Sequence, residues 1–284
     1  MSGSAGALVV ERLGETVGAE VVDLDVDRVL EDDALPPQLL AALEANGVLV
    51  FRKLNLEPET QVELCRRLGR VAELSGHHPV EGIYRVTLDR SKNPVADYLR
   101  GTFDWHIDGC TPVADEHPEM ATMLSAKAVA DNGGETEFAS TYAAYDELGD
   151  EEKERLASVR VVHSLEASQR RVNPDPSPEE VAAWRTRPVR EHPLVWRHRS
   201  GRCSLVLGTS TDHVVGMDRQ AGQALLDDLL ARATRPERVY RHEWSVGDTV
   251  IWDNRGVLHR ATPYDPGSPR EMLRTTLLGD EPIQ

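Results

Sequence analysis

Two residues near the middle of the chain have the types and spacing to share a metal ion. The stretch from Phe103 to Gly109 reads Phe-Asp-Trp-His-Ile-Asp-Gly, with His106 and Asp108 two positions apart. In an extended segment, residues i and i+2 point to the same face. An imidazole nitrogen and a hard carboxylate oxygen can then reach one cation. A third candidate ligand lies far downstream. Val250-Ile251-Trp252-Asp253-Asn254-Arg255 is an apolar run ending in a turn, and Val257-Leu258 then delivers His259. Two imidazoles and one carboxylate on one face of an octahedron form the non-heme Fe(II) arrangement, with positions left open for O2 and a second small molecule. The same three ligands also suit Zn2+ with an open water position. A His-x-Asp pair by itself is also what a solvated surface turn looks like.

Beyond His259 the chain continues Pro269-Arg270-Glu271-Met272-Leu273-Arg274-Thr275-Thr276-Leu277. Read as a strand, Arg270, Met272, Arg274 and Thr276 share one face, and Leu273 and Leu277 lie on the other. Two arginines on an otherwise apolar face are costly to bury unless anions pair with them. A solvated edge strand is the competing reading.

Together these pieces resemble the Fe(II)/2-oxoglutarate-dependent dioxygenases of the taurine dioxygenase and 2,4-dichlorophenoxyacetate dioxygenase family. The motifs carrying the resemblance are Trp105-His106-Ile107-Asp108, Gly133-Gly134-Glu135-Thr136, Trp252-Asp253-Asn254-Arg255, His259 and Arg270, in that order, with an opening strand around Val17 to Leu24. The likeness runs from about Gly14 to Asp280. It implies His106, Asp108 and His259 as iron ligands, and Thr136 and Arg270 as partners of the far carboxylate of 2-oxoglutarate. It also implies consumption of O2, release of succinate and CO2, and oxidation of an unactivated C–H bond. Arg274 matches the position that holds a substrate's sulfonate or carboxylate, and His78, before Pro79, matches the histidine that assists it. Tyr98, Thr102 and Arg100 are candidate pocket residues without assigned roles, since Asp97 to Phe103 departs from the taurine enzymes in length and residues. Asp108 argues against a halogenase, whose relatives lose the carboxylate. The expected substrate is a small organic anion. The alternatives are a tailoring oxygenase of specialised metabolism acting on a larger substrate, a metal- or 2-oxoacid-binding protein without turnover, and a zinc hydrolase. The last leaves Arg270 and Thr136 without a task.

The elements that must position these residues are short. An α/β start over the first 70 residues reads as strand, helix, strand, helix. Pro36 to Asn46 and Pro58 to Leu68 have helical apolar spacing, each stopped by glycine. Met120 to Val129, Glu135 to Ala139, Val159 to His163, Val239 to Trp244, Thr249 to Trp252 and Met272 to Leu278 read as strands. Leu194 to Trp196 and Ser204 to Leu207 pair around the Ser200-Gly201 turn. Many short strands after an α/β start indicate a mostly β fold with flanking helices. The resemblance implies a double-stranded β-helix, the jelly-roll or cupin-like core. The chain reads as a single domain, 1–284, with a flexible leader over 1–13. Leu165 to Arg190 is rich in proline and arginine and lacks periodicity, and is expected to be an irregular lid over the site. The polar loop from Asp89 to Gly101 is expected to help cover substrate.

Composition narrows the classes. With 48 acidic against 32 basic residues, the net charge of −16 argues against nucleic-acid binding, which needs a basic footprint. Three cysteines at irregular spacing form neither a disulfide framework nor a zinc motif, and Cys110 reads as a small buried thiol. No apolar run has membrane-spanning length. The expectation is a cytoplasmic enzyme of small molecules with no membrane partner, and a homo-oligomer is left open.

Overall fold

Alternation along the strands divides the apolar residues between two cores. The computed structural model describes residues 6–73, 78–112 and 117–284. Its largest sheet has seven strands, in the order Val9–Arg12, Ala19–Val22, Val48–Phe51, Thr249–Asp253, Glu119–Ala128, Glu271–Leu278 and Tyr84–Val86. Every pairing is antiparallel except that of Ala19–Val22 with Val48–Phe51. In Val48–Phe51 the side chains split by parity. Leu49 and Phe51 pack with Met123, Ile251 and Leu277 against the helices Leu35–Asn46 and Pro58–Leu68. Val48 and Val50 face the other way, into a cluster with Leu124, Val250, Trp252 and Met272.

A second sheet closes that cluster. Its strands are Val239–His242, Thr136–Ser140 and Val257–Ala261, and it contributes the buried Phe138 and Val257. A third sheet, of Thr211–Val214, Arg160–His163 and Arg190–Pro193, lies beyond, along with a hairpin of Val195–Arg197 and Cys203–Leu205. These strands share a core with the helix Arg219–Ala233 through Leu194, Trp196, Leu207, Val214 and Leu229. The result is the expected mostly β architecture with flanking helices around a jelly-roll core. No helix among the described residues is long and apolar enough to cross a membrane.

Two expectations about irregular segments need correction. The leader does not extend to residue 13: Val9–Arg12 is a strand paired to Ala19–Val22, with all four residues exposed. Residues 1–5 lie outside the described residues. Leu165 to Arg190 is not irregular either, since it forms the helices Leu165–Val172 and Pro178–Trp184. The Ser164 hydroxyl accepts from Ala167 N at the first. At the second, Ser177 and Glu180 form a reciprocal capping box. Pro178 occupies the first turn, where a missing N–H costs nothing. Proline count signals loops only when position is ignored.

Candidate active site

The metal-ligand segment obeys the parity of an extended chain. Trp105 and Ile107 point into the core beneath the third sheet, with Leu258 beside them. His106 and Asp108 therefore point the opposite way, as does His259 relative to Leu258. Main-chain bonds lock the two histidines together across the sequence: His106 N donates to His259 O at 3.0 Å, and His259 N to His106 O at 2.9 Å. One ligand atom from each of His106, Asp108 and His259 lies within 4.8 Å of the others, the single such group among the described residues. His106 Nε2 is 3.8 Å from Asp108 Oδ1, and His259 Nε2 is 3.5 Å from Asp108 Oδ2. Neighbouring donors on a cation with bonds of about 2.1 Å are separated by about 3 Å, so small side-chain adjustments complete the set.

Each ligand is held from behind. His106 Nδ1 lies 2.9 Å from Asp104 O, which fixes the proton on Nδ1 and leaves Nε2 free to ligate. Thr122 donates its hydroxyl proton to Asp108 Oδ2 at 2.9 Å and accepts from Asn254 Nδ2 at 2.9 Å. Asn254 thus acts on Asp108 through one hydroxyl, a link invisible in the sequence. Gly109, at φ +79°, lets the ligand segment lie against the start of the Glu119–Ala128 strand: a Cβ there would meet Glu119 N at 2.5 Å. Burial opposes a charge on Asp108, but Arg274, the two imidazoles and the Thr122 hydroxyl outweigh it, so the carboxyl titrates well below its usual range. Burial, with the neighbouring His106, keeps His259 neutral far below the usual imidazole pKa. A charged carboxylate beside a neutral His259 is the protonation state a cation needs.

The cavity over these ligands is lined by His106, Asp108 and His259 together with Thr102, Thr136, Arg270 and Arg274, so seven of the ten expected site residues meet there. The rest of its wall is apolar or aromatic: Tyr84, Val86, Leu99, Leu124, Trp252, Ala261 and Tyr264. Arg270 is 2% exposed. Its Nε donates to Gly134 O at 3.1 Å, and its guanidinium lies 4.7 Å from the Tyr264 ring centre. Gly134, at φ +78°, lets that carbonyl come so near, since a Cβ would lie 2.8 Å from Arg270 Cδ and Nε. The Gly-Gly-Glu-Thr motif therefore works as a cradle for one arginine. The Thr136 hydroxyl accepts from Trp244 Nε1 at 3.0 Å, and Thr102 donates its hydroxyl to Leu99 O.

Arg274 reaches along its strand. Nε donates to Thr276 Oγ1 at 3.1 Å, Nη2 lies 3.2 Å from Asp108 Oδ2, and Nη2 also donates to Glu119. Burial pushes the Glu119 carboxyl up to about 7, against the downward pull of Arg274. Neither Glu119 nor Tyr264 was singled out from the sequence. Glu119 borders the Glu119–Ala128 strand with no motif around it, and Tyr264 follows Pro263 in an irregular segment.

Three expected residues are not brought to the cavity. Tyr98 is 41% exposed, because the segment Ala96–Phe103 is a helical turn that points Leu99 and Thr102 inward instead. His78 lies outside the lining residues: its Nδ1 accepts from Val80 N at 3.1 Å, and its charged neighbours are Arg85, Glu271 and Glu59. Arg100 likewise lies outside the cavity. Nor does any residue of 165–190 line it. The helix Leu165–Val172 instead packs behind Ala96–Phe103, where Gly101 lies against Ser168 and Gln169.

The chain matches the model of the taurine catabolism dioxygenase TauD, TfdA family over residues 10–276. It is 33% identical to an (S)-phenoxypropionate/alpha-ketoglutarate-dioxygenase of Sphingobium herbicidovorans, covering 96% of each chain. It is 32% identical to an alpha-ketoglutarate-dependent 2,4-dichlorophenoxyacetate dioxygenase of Cupriavidus pinatubonensis, covering 96% of this chain and 99% of that one. Its structure is similar to that of AAD-2 in complex with Mn(II) and N-oxalylglycine, with a TM-score of 0.82, 30% identity and coverage of 98% and 99%.

Proposed function

The chain belongs to the TauD/TfdA family and is a 2-oxoglutarate-dependent non-heme iron dioxygenase, and from that premise we propose which residues carry the reaction and what it oxidises. His106, Asp108 and His259 hold Fe(II). Arg270 and Thr136 bind the far carboxylate of 2-oxoglutarate, and Arg274 receives an anionic group of the substrate. What supports the reading is the convergence of both arginines and all three ligands on one cavity.

An iron ion held by these three ligands would supply O2 activation coupled to decarboxylation of the 2-oxo acid, which gives succinate, CO2 and an oxidised C–H bond. The chain's own residues do the rest. A planar guanidinium matches a carboxylate with two parallel hydrogen bonds, and Arg270, buried and stacked on Tyr264, is already oriented to make them. Leu124, Val86 and Trp252 exclude water around the reacting carbon and leave an apolar body as the best occupant. Arg274 fixes the substrate's polar end, so that one C–H bond is held toward the ligand face.

The relatives from Sphingobium herbicidovorans and Cupriavidus pinatubonensis are named for phenoxypropionate and 2,4-dichlorophenoxyacetate, each an aromatic ring joined to a carboxylate. A charged end and an apolar body fit the two parts of this cavity. We therefore take the substrate to be a small organic anion of that general form, oxidised by hydroxylation or a related step. The active-site cover is the Ala96–Phe103 segment braced by Leu165–Val172. The whole chain, 1–284, is taken as one cytoplasmic dioxygenase domain with no nucleic-acid partner.

The test is substrate-dependent succinate formation over a panel of aryloxy acids, sulfonates, sulfate esters and amino acids. At least one anion should stimulate succinate release above the uncoupled rate, and its neutral amide or alcohol should not. Stimulation by neutral compounds alone would overturn the anionic reading.

A further inference from the structure

We propose that Glu119 is a specificity-determining residue that acts through Arg274, lowering the positive charge at the substrate end of the cavity. This rests on the reading of Arg274 as the substrate's anion partner. Arg274 lines the cavity and Glu119 does not. The carboxylate grips Nη2 of Arg274 from outside the cavity, while Thr276 holds Nε. Asp108, which also faces Nη2, has its charge committed to the metal centre. Glu119 is thus the acid left to balance Arg274, with Arg187 adding a lesser pull on it.

Two consequences follow for a substrate. An incoming anion meets a guanidinium whose charge is partly offset, so the attraction is weaker than a lone buried arginine would supply. The guanidinium is also anchored: with Nε and Nη2 engaged, it cannot swing to present its full fork. Anions therefore bind through a partial contact and depend on the apolar wall for the rest of their affinity. Glu119 trades strength at the charged end for selection on the body of the molecule. Gly109 packing against the Glu119 backbone keeps this acid in register with the metal-ligand segment.

The experiment measures equilibrium binding to the 2-oxoglutarate-loaded, Mn(II)-substituted full chain, where no turnover occurs, by quenching of tryptophan fluorescence. Trp252 in the cavity wall is the reporter. The probes are phenoxypropionate and an alkyl sulfate, each beside its neutral counterpart, the amide and the alcohol. Glu119→Gln should bind both anions roughly tenfold more tightly than wild type, the scale of one screened charge contact of about 1.4 kcal/mol. The neutral probes and 2-oxoglutarate should change by less than twofold, and Glu119→Asp should return the anions toward wild-type affinity. Unchanged or weaker anion binding in Glu119→Gln overturns the proposal, as does an equal shift for anions and neutral probes. Arg274→Gln separates this from the underlying reading. If it abolishes the preference for anions while Glu119→Gln does nothing, only the role of Glu119 falls. If Arg274→Gln leaves the preference intact, or if no anion binds any of the variants, the anion site at Arg274 falls and this inference with it.

Discussion

Gly134→Ala adds one methyl group in a place where its effect can be worked out. Gly134 has φ +78°, and the new Cβ would lie 2.8 Å from both Cδ and Nε of Arg270. Ordinary van der Waals contact begins near 3.4 Å, so the arginine or the turn must yield by at least 0.6 Å. A left-handed backbone costs an L-residue roughly 1–2 kcal/mol. For a domain of this size that lowers Tm by about 2–8 °C. The second effect falls on function. Arg270 has little room to retreat, being 2% exposed and stacked on Tyr264. A displaced guanidinium loses one of its bonds to a carboxylate, a loss of about 1.5–3 kcal/mol. The KM for 2-oxoglutarate should therefore rise roughly 10- to 150-fold, with the KM for primary substrate little changed. The assay is succinate formation against 2-oxoglutarate concentration at saturating substrate, beside a thermal melt. A lowered Tm with KM for 2-oxoglutarate within twofold of wild type would refute Arg270 as the cosubstrate's partner.

Three further outcomes are expected. Thr122→Val removes the hydroxyl between Asn254 and Asp108 and should weaken metal affinity about 10- to 100-fold, as losses behind a ligand do; calorimetry with Mn(II) reads it, and unchanged affinity would show that Asp108 needs no support. Arg270→Lys keeps the charge but loses the fork, so 2-oxoglutarate affinity should still fall by an order of magnitude or more, and retention of wild-type affinity would mean that charge alone suffices. Ala96–Phe103 and Leu165–Val172 should gain hydrogen-exchange protection together when a turned-over substrate binds; protection unchanged in both would remove them as the cover.

Much of the site was legible because its chemistry is written in short motifs. His106 and Asp108 face one way through the parity of an extended chain, and Arg270 and Arg274 share a strand face. Those statements need only backbone geometry. The three-dimensional partnerships were not legible. Thr122 and Asn254 meet across two strands whose register no local pattern specifies. In sequence Glu119 is one more acid in an acidic chain, and only the fold sets it against Arg274. Tyr98 and His78 were misplaced for a related reason. Their side-chain directions depend on the helical turn at Ala96–Phe103 and on the local bond between His78 and Val80, and neither leaves a periodic signal. The two helices within 165–190 were hidden by proline content, although Ser177, Pro178 and Glu180 spell a capping box when read by position.

The most direct test of the metal and cosubstrate assignment is an anaerobic titration. Fe(II) and 2-oxoglutarate are added to the full chain, and the visible absorption of iron bound by a 2-oxo acid is followed. Wild-type protein should develop a weak charge-transfer band that saturates at one iron per chain. Asp108→Ala and His259→Ala should abolish it, and Arg274→Ala should retain it. A band of full intensity in either ligand variant, or none in the wild type, would contradict the assignment.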